Sequence, residues 1–273
     1  MSFNKYLIAL FLLLPQSSFA YERIVTLAPV LSEWTAIILG EKAANDKIVG
    51  VSEYSQYPDF LKKKTEVGPY PRINIERVAA LHPDLIIASS VYNRLDQIEQ
   101  LKRLHLPVRI LKAEKFSEMG TWIESLGEVL GEKAGALKAK KEWDDGVSAI
   151  RRKAGPRVRQ RRVFIEVQHQ PLISVGGESF LSDAFGLAGY QNVYKDLKQD
   201  YPKVSKESVL KENPQVIFVL SLMGDQADFK SVEKDWQNFP SLTAVSTKQI
   251  HPISADDFAR CSLRLLKALK ELN

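Results

Sequence analysis

An α/β fold of two lobes, each built on a mainly parallel sheet and joined by one long helix, is what this sequence predicts. Three observations carry it. Short β-branched apolar runs alternate with amphipathic ones, as covered parallel strands do. The alternation breaks once, near the middle, for a long polar stretch with helical periodicity. It then restarts and runs to the C-terminus.

The elements follow in order. Lys5, the apolar run Tyr6–Leu14, Pro15 and the small residues of Ser18-Phe19-Ala20 make a secretory signal peptide over residues 1–20. The run is too short to span a bilayer as a helix. The folded chain is then expected to begin at Tyr21, and no cysteine stands near the cleavage point to take a lipid. Arg23–Leu27, Lys47–Val51, Asp84–Ala88 and Val108–Leu111 read as strands, with helices at Leu31–Leu39, Ile75–Leu81 and Leu95–Leu104 between them. Phe116–Leu130 carries one apolar face and is stopped by Gly131. From Glu132 to about Lys153 a second helical stretch shows only a thin stripe: Leu137, Trp143, Val147 and Ile150. It would span roughly 33 Å. Gly155-Pro156 ends it, and strands at Arg162–Val167 and Gln215–Leu220 follow, with helices at Phe180–Leu187, Ser205–Lys211 and about Asp257–Leu272. The division expected is an N-terminal lobe at 21–115, a helical connector at 116–155 and a C-terminal lobe at 156–273.

Composition excludes more than it selects. The 273 residues carry a formal charge of +5 with the basic groups dispersed. The densest group, Arg157, Arg159, Arg161 and Arg162, reads as a solvated edge, with no nucleic-acid fold signature beside it. With one cysteine, Cys261, no internal disulfide can form, and that residue reads as a small buried hydrophobe in the last helix. Dinucleotide, phosphate-loop, nucleophile-elbow and zinc-protease motifs are all missing, and the four histidines are isolated in sequence. A binding protein is expected, not an enzyme.

An internal repeat supports the two lobes. Asn74–Ser90 (NIERVAALHPDLIIASS) and Ser205–Ser221 (SKESVLKENPQVIFVLS) align without a gap, setting Glu76 on Glu207, Val78 on Val209, Pro83 on Pro214 and Ser90 on Ser221. A helix–Pro–strand unit accounts for the proline and the aliphatics; the matched glutamates ask for more.

RIVTLAPVLSE (23–33), IVGVSEYSQYP (48–58), VGPYPRINIERVAALHPDLIIA (67–88) and YPKVSKESVL (201–210) resemble the class III periplasmic solute-binding proteins of ABC importers, over nearly all of the chain after residue 20. Within that class they are most similar to its corrinoid-binding, vitamin B12-like branch. The resemblance implies two α/β lobes on one stiff helix, a ligand in the cleft, and modest closure. It implies a small-molecule metal chelate as cargo, cobalamin or another, with no cofactor and no metal ion held by the protein. It also implies a monomer that docks on an ABC importer permease dimer.

The resemblance places cleft aromatics at Tyr54, Tyr70 and Tyr201, with Glu33 and His169 beside them. A broad planar macrocycle needs flat faces, and tyrosine adds a hydroxyl for peripheral amides. Taken singly, each tyrosine could instead be packing at a loop base. The chain departs from the branch in having tyrosine where two tryptophans are expected, Asp257 at a third aromatic position, and Gln168-His169-Gln170 in place of a phenylalanine loop. His169 reads either as a ligand of a bound metal or as a hydrogen-bonding loop residue. Haem-binding relatives use a tyrosine near Tyr70 as iron ligand. Glu76 and Glu207 map onto permease-docking glutamates; equally, each sits in the first turn of a helix capped by Asn74 or Ser205, where a carboxylate meets the helix dipole. The function expected is capture of a corrinoid, with a ferric siderophore or haem as the alternative and a free metal ion a more distant one.

Overall fold

The computed structural model describes residues 21–112, 115–155, 161–221 and 226–272. Residues 1–20, expected to be a signal peptide, and Arg157 and Arg159 lie outside the described residues. Strands β1 (Ile24–Thr26), β2 (Ile48–Val51), β3 (Thr65–Glu66), β4 (Leu85–Ser89) and β5 (Val108–Leu111) form one parallel sheet in the order β3-β2-β1-β4-β5. Strands β6 (Arg161–Gln168), β7 (Ile173–Ser174), β8 (Tyr190–Asn192), β9 (Val216–Ser221) and β10 (Ile250–Ser254) form the other, ordered β10-β9-β6-β7 with β8 also on β6. Only β7 runs antiparallel. The paths β2-β1-β4-β5 and β8-β6-β9-β10 match, so the segments 74–90 and 205–221 occupy the same place in each lobe.

Side-chain alternation sorts each strand onto two faces. Ile24, Leu85 and Ile87 of the first sheet join Val163, Ile165, Val216 and Phe218 of the second in one continuous core. Their neighbours Val25, Ile86 and Ala88, and Phe164, Ile217 and Val219, face two separate outer clusters. The shared core is completed by helices Met119–Leu130 and Lys133–Ala154, where Trp34, Trp122, Trp143 and Phe116 pack with ring centroids 5.1–6.4 Å apart. The two lobes therefore share an apolar body behind the cleft.

The long connector is present as expected, but its buried stripe is Ala136, Ala139, Trp143, Gly146 and Ile150, whereas Leu137 is 60% exposed. Small residues form the seam because neighbouring backbones come close: a Cβ on Gly135 would sit 2.1 Å from the Ile38 carbonyl oxygen. Of the expected stripe, Trp143 and Ile150 are buried and Val147 packs against the core; Leu137 alone lies off it, and the small residues complete it.

The expected last helix is two, Ala255–Phe258 and Leu263–Glu271. The break at Ala259–Ser262 lets the Cys261 carbonyl accept the Trp34 indole N–H at 2.8 Å, and Cys261 itself is buried. Strand β10 also eluded the sequence reading, since Pro252 interrupts its pattern; it survives because it lies at a sheet edge. Among the described residues no helix is long and apolar enough to cross a membrane.

Candidate functional site

The carboxyl ends of both sheets open on the space between the lobes, the usual place for ligands in open α/β sheets. On the first lobe three loops deliver three tyrosines: Tyr54 after β2, Tyr70 after β3 and Tyr92 after β4. With Ala28, Pro29, Asp256 and Arg260 they line a cavity of about 230 Å³. On the second lobe the ends of β6 and β9 line an adjoining cavity of about 360 Å³. Ala255 and Ala259 belong to both, so the two are halves of one cleft.

The tyrosine loops are tied by buried polar side chains. The Nδ2 of Asn93 donates to the carbonyls of Leu27 (2.7 Å) and Tyr70 (2.8 Å), while its Oδ1 accepts from the Ser89 N–H at 2.8 Å. One side chain thus fixes three loops. The hydroxyls of Thr26, Ser32, Ser52 and Ser55 form a chain with links of 2.6, 3.0 and 3.2 Å under the Tyr54 loop. Tyr54 itself has φ +63°, a left-handed conformation rare for a bulky residue, and is 57% exposed. Its carbonyl accepts from Arg260 Nη2 at 2.7 Å, a bond across the lobes. Tyr70 and Tyr92 meet edge to face at 6.1 Å. Burial pushes the Tyr92 phenol well above its ordinary range, and proximity to Tyr201 and Tyr70 adds to this. Tyr201, from the second lobe, is 46% exposed, and its phenol is raised only by the protein crowded around its inner part. Tyr54 and Tyr70 therefore share a cavity, and Tyr201 stands near Tyr70 and Tyr92. Tyr92 and Asn93 escaped the sequence reading; their position after β4, matching Tyr70 after β3, was the available signal.

The second lobe's wall differs. Glu166 is 1% exposed, and both its oxygens are engaged: Oε2 with Trp236 Nε1 at 2.6 Å, Oε1 with His169 Nδ1 at 2.7 Å. His169 Nε2 lies 3.1 Å from Asp235 Oδ2, and Asp235 also pairs with Lys206. Burial raises the Glu166 carboxyl above the usual carboxylate range, against the lowering influence of Trp236 and His169. Thus His169 lines the cleft, but both of its nitrogens are committed inside the protein.

Glu33 is not brought to the tyrosines. It is 1% exposed on helix Pro29–Leu39, inside the seam with the C-terminal segment, and its Oε1 has no hydrogen-bond partner. Burial raises its carboxyl, partly offset by Ser262 and by Arg264 and Arg260. Asp257 lines neither cavity half and holds Arg264 at 2.6 Å. Glu76 and Glu207 are exposed in the first turns of helices Ile75–Ala80 and Lys206–Glu212, after caps in which Asn74 accepts from the Arg77 N–H and Ser205 from the Ser208 N–H. Each of these helices leads into its lobe's equivalent strand, β4 or β9. Hydrogen bonds from its own backbone N–H and from Ser205 hold the Glu207 carboxyl below the usual range. Among the described residues no group of three or more His, Cys, Asp or Glu is placed to hold a metal ion.

Two parallel-sheet lobes on a helical connector, with an aromatic cleft at the carboxyl ends of the strands, define a two-lobed solute receptor. Residues 24–256 match the family model described as periplasmic binding protein, and the chain belongs to that family. It is 30% identical over 253 residues to the vitamin B12-binding protein of Yersinia pestis, which covers 93% of this chain and 85% of that protein. The crystal structure of the periplasmic vitamin B12 binding protein BtuF of Vibrio cholerae aligns with TM-score 0.79 and 29% identity, over 92% of this chain and 95% of that one. The periplasmic haem-binding protein BhuT, solved with two haems, aligns with TM-score 0.80 over 92% of this chain and 96% of that one. At 18% identity that likeness speaks to the fold alone. The protein is a solute-binding component of transport rather than an enzyme.

Proposed function

We propose that the protein captures a corrinoid in the periplasm, in the cleft between its lobes, and delivers it to the permease dimer of an ABC importer. The observation that carries this reading is the convergence of Tyr54, Tyr70 and Tyr92 from three loops on one cavity, with Tyr201 close by. Flat faces with hydroxyl edges suit a large macrocycle rimmed by amides. The likeness to vitamin B12-binding proteins supports the same ligand class. Glu76 and Glu207, at equivalent positions of the repeat and both exposed, suit contact with a two-fold partner. A second reading, a ferric chelate or haem, draws on the phenols of Tyr54 and Tyr70, which line the cavity and are the kind of oxygen donor iron accepts.

Titration of the purified protein with cyanocobalamin, haemin and ferric siderophores, followed by tryptophan fluorescence, tests the assignment. A strongly absorbing ligand in the cleft quenches the buried indoles by energy transfer. Saturable quenching by cyanocobalamin at micromolar concentration is expected; its absence, with quenching by haemin or a siderophore, moves the assignment to the second reading.

A further inference from the structure

We propose that Arg260 and Arg264 form a latch between the lobes: from a segment rooted in the second lobe they grip the loop 52–58 of the first, and their release sets how far the lobes part. The latch is separate from the connector helix and holds whichever ligand the cleft takes.

Its root is helix Ala255–Phe258, which follows strand β10 directly. Phe258 is 3% exposed and stacks on Phe185 of helix Phe180–Leu187, with centroids 5.7 Å apart and planes at 27°. Phe185 packs in turn on Phe218 of β9 at 5.3 Å. This short helix is therefore part of the second lobe's core, and it steers both arginines. Asp257 Oδ1 accepts from Arg264 Nε at 3.0 Å and from Nη2 at 2.6 Å. The Asp256 carbonyl accepts from Arg260 Nη1 at 3.3 Å, with the Asp256 carboxylate 3.9 Å away. Both guanidinium groups are thus aimed before they meet the other lobe, so less side-chain freedom is lost when they do.

What they meet is one loop. Arg260 Nη2 donates to the Tyr54 carbonyl at 2.7 Å, and the Arg264 guanidinium lies 4.7 Å from the centroid of the Tyr57 ring. A cation over an aromatic face is attracted by the ring's quadrupole. The loop's other ties stay within its own lobe: Ser55 accepts from Ser32 at 3.0 Å and lies 3.2 Å from Ser52. Tyr54 keeps its φ of +63° between these two anchorages. Such a backbone persists only where its surroundings over-determine it; the serines hold it from the first lobe and Arg260 from the second.

A third link is deeper. The Trp34 indole donates to the Cys261 carbonyl at 2.8 Å, and Trp34 is fully buried. The arginine contacts instead meet a loop whose tyrosines are exposed. Behind the Arg264–Tyr57 pair lies a cavity of about 420 Å³, lined also by Glu33, Ile37, Gly146 and Leu263. Close packing makes an interior rigid, and here the joint has space beside it. Contacts with water at hand and room behind them open before a buried one. A partner that levers the lobes apart must break these two first.

The test reads the distance between the lobes in the full-length protein with no ligand added. Nitroxide labels on Glu76→Cys and Glu207→Cys, both exposed and one per lobe, report it by pulsed electron paramagnetic resonance, while buried Cys261 stays unlabelled. One distance is expected, with any wider population below about 10%. Adding Arg260→Ala and Tyr57→Ala is expected to raise the wider population at least about fivefold. Tyr57→Phe keeps the ring and should leave the distribution as it was. Arg162→Ala breaks an ion pair with Glu212 inside the second lobe and should change nothing, which controls for general loosening. The latch is overturned if the double variant keeps the native distribution, or if Arg162→Ala widens it as much. Should circular dichroism show the double variant unfolded, Tyr57→Ala alone carries the test: about a twofold rise in the wider population is expected, and an unchanged distribution overturns the latch. Because no ligand enters, either result leaves the corrinoid reading to its own titration.

Discussion

The two walls of the cleft solve different problems. The first lobe's wall is aromatic and carried on separate loops; its tyrosines touch one another only edge to face, and its fixed points lie beneath them, in Asn93 and the serine hydroxyls. The second lobe's wall mixes Val167, Val219 and Leu220 with Glu166, Gln168 and His169, and behind it Glu166, His169, Asp235 and Lys206 are tied to one another. The first offers contact area without using its own stability. In the second, Glu166 and His169 belong both to the lining and to the cluster that supports it. Substitutions of the lining side chains should therefore separate: stability is lost at Glu166 and His169 on the second side, and mainly affinity at the tyrosines on the first.

The largest effect is expected from Glu166→Ala. It strips an acceptor from the buried Trp236 N–H and from His169, and should cost about 3 kcal/mol of unfolding free energy in denaturant titration. A loss under 1 kcal/mol would show the clamp to be loosely made. Asn93→Ala probes the support beneath the first wall. Three hydrogen bonds vanish, two buried and one partly buried, about 2–3 kcal/mol should be lost, and ligand affinity should fall with it because Tyr70 and Tyr92 lose their common tie.

Tyr70→Ala should weaken the ligand by about tenfold, near 1.4 kcal/mol, through lost ring contact. Its thermal midpoint should move less than that of Asn93→Ala; equal losses would break the distinction between a free surface and a supporting one. Glu33→Gln gives a smaller effect with a pH signature. A carboxyl raised by burial binds more protons folded than unfolded, so its contribution to stability falls as pH rises above the ordinary value of 4.5. The glutamine variant should be about 1 kcal/mol more stable than the native protein at neutral pH, with the difference vanishing near pH 4. Stability curves measured at both pH values decide it, and a constant offset rejects the mechanism. The smallest effect on binding belongs to Glu76→Ala with Glu207→Ala. Both groups are exposed and line neither half of the cleft, so affinity should be unchanged while transport in vesicles reconstituted with the permease drops. Normal transport would leave the carboxylates with only their capping role.

Local pattern was enough for the alternation of strands and helices, for the two lobes, and for the connector. Each of these is written in residues a few positions apart, where periodicity and Gly or Pro punctuation act. The same local logic put Tyr54 and Tyr70 in strand-to-helix loops. It failed at the small-residue seam of the connector, where Ala136, Ala139 and Gly146 are buried without being large. It also failed at β10, where an edge position excuses a proline.

What the sequence alone determined is thus the architecture and the kind of side chain offered at each loop. Which partners those side chains meet was decided by the tertiary structure. Trp236 reaches Glu166 across 70 residues, Arg260 reaches the Tyr54 carbonyl across 206, and Trp34 reaches Cys261 across 227. Contacts at such separations leave no periodic trace. That is why Glu33 could be read as a ligand contact and proves to be a buried seam residue, and why His169 could be read as a metal ligand until the fold set a carboxylate against each of its nitrogens.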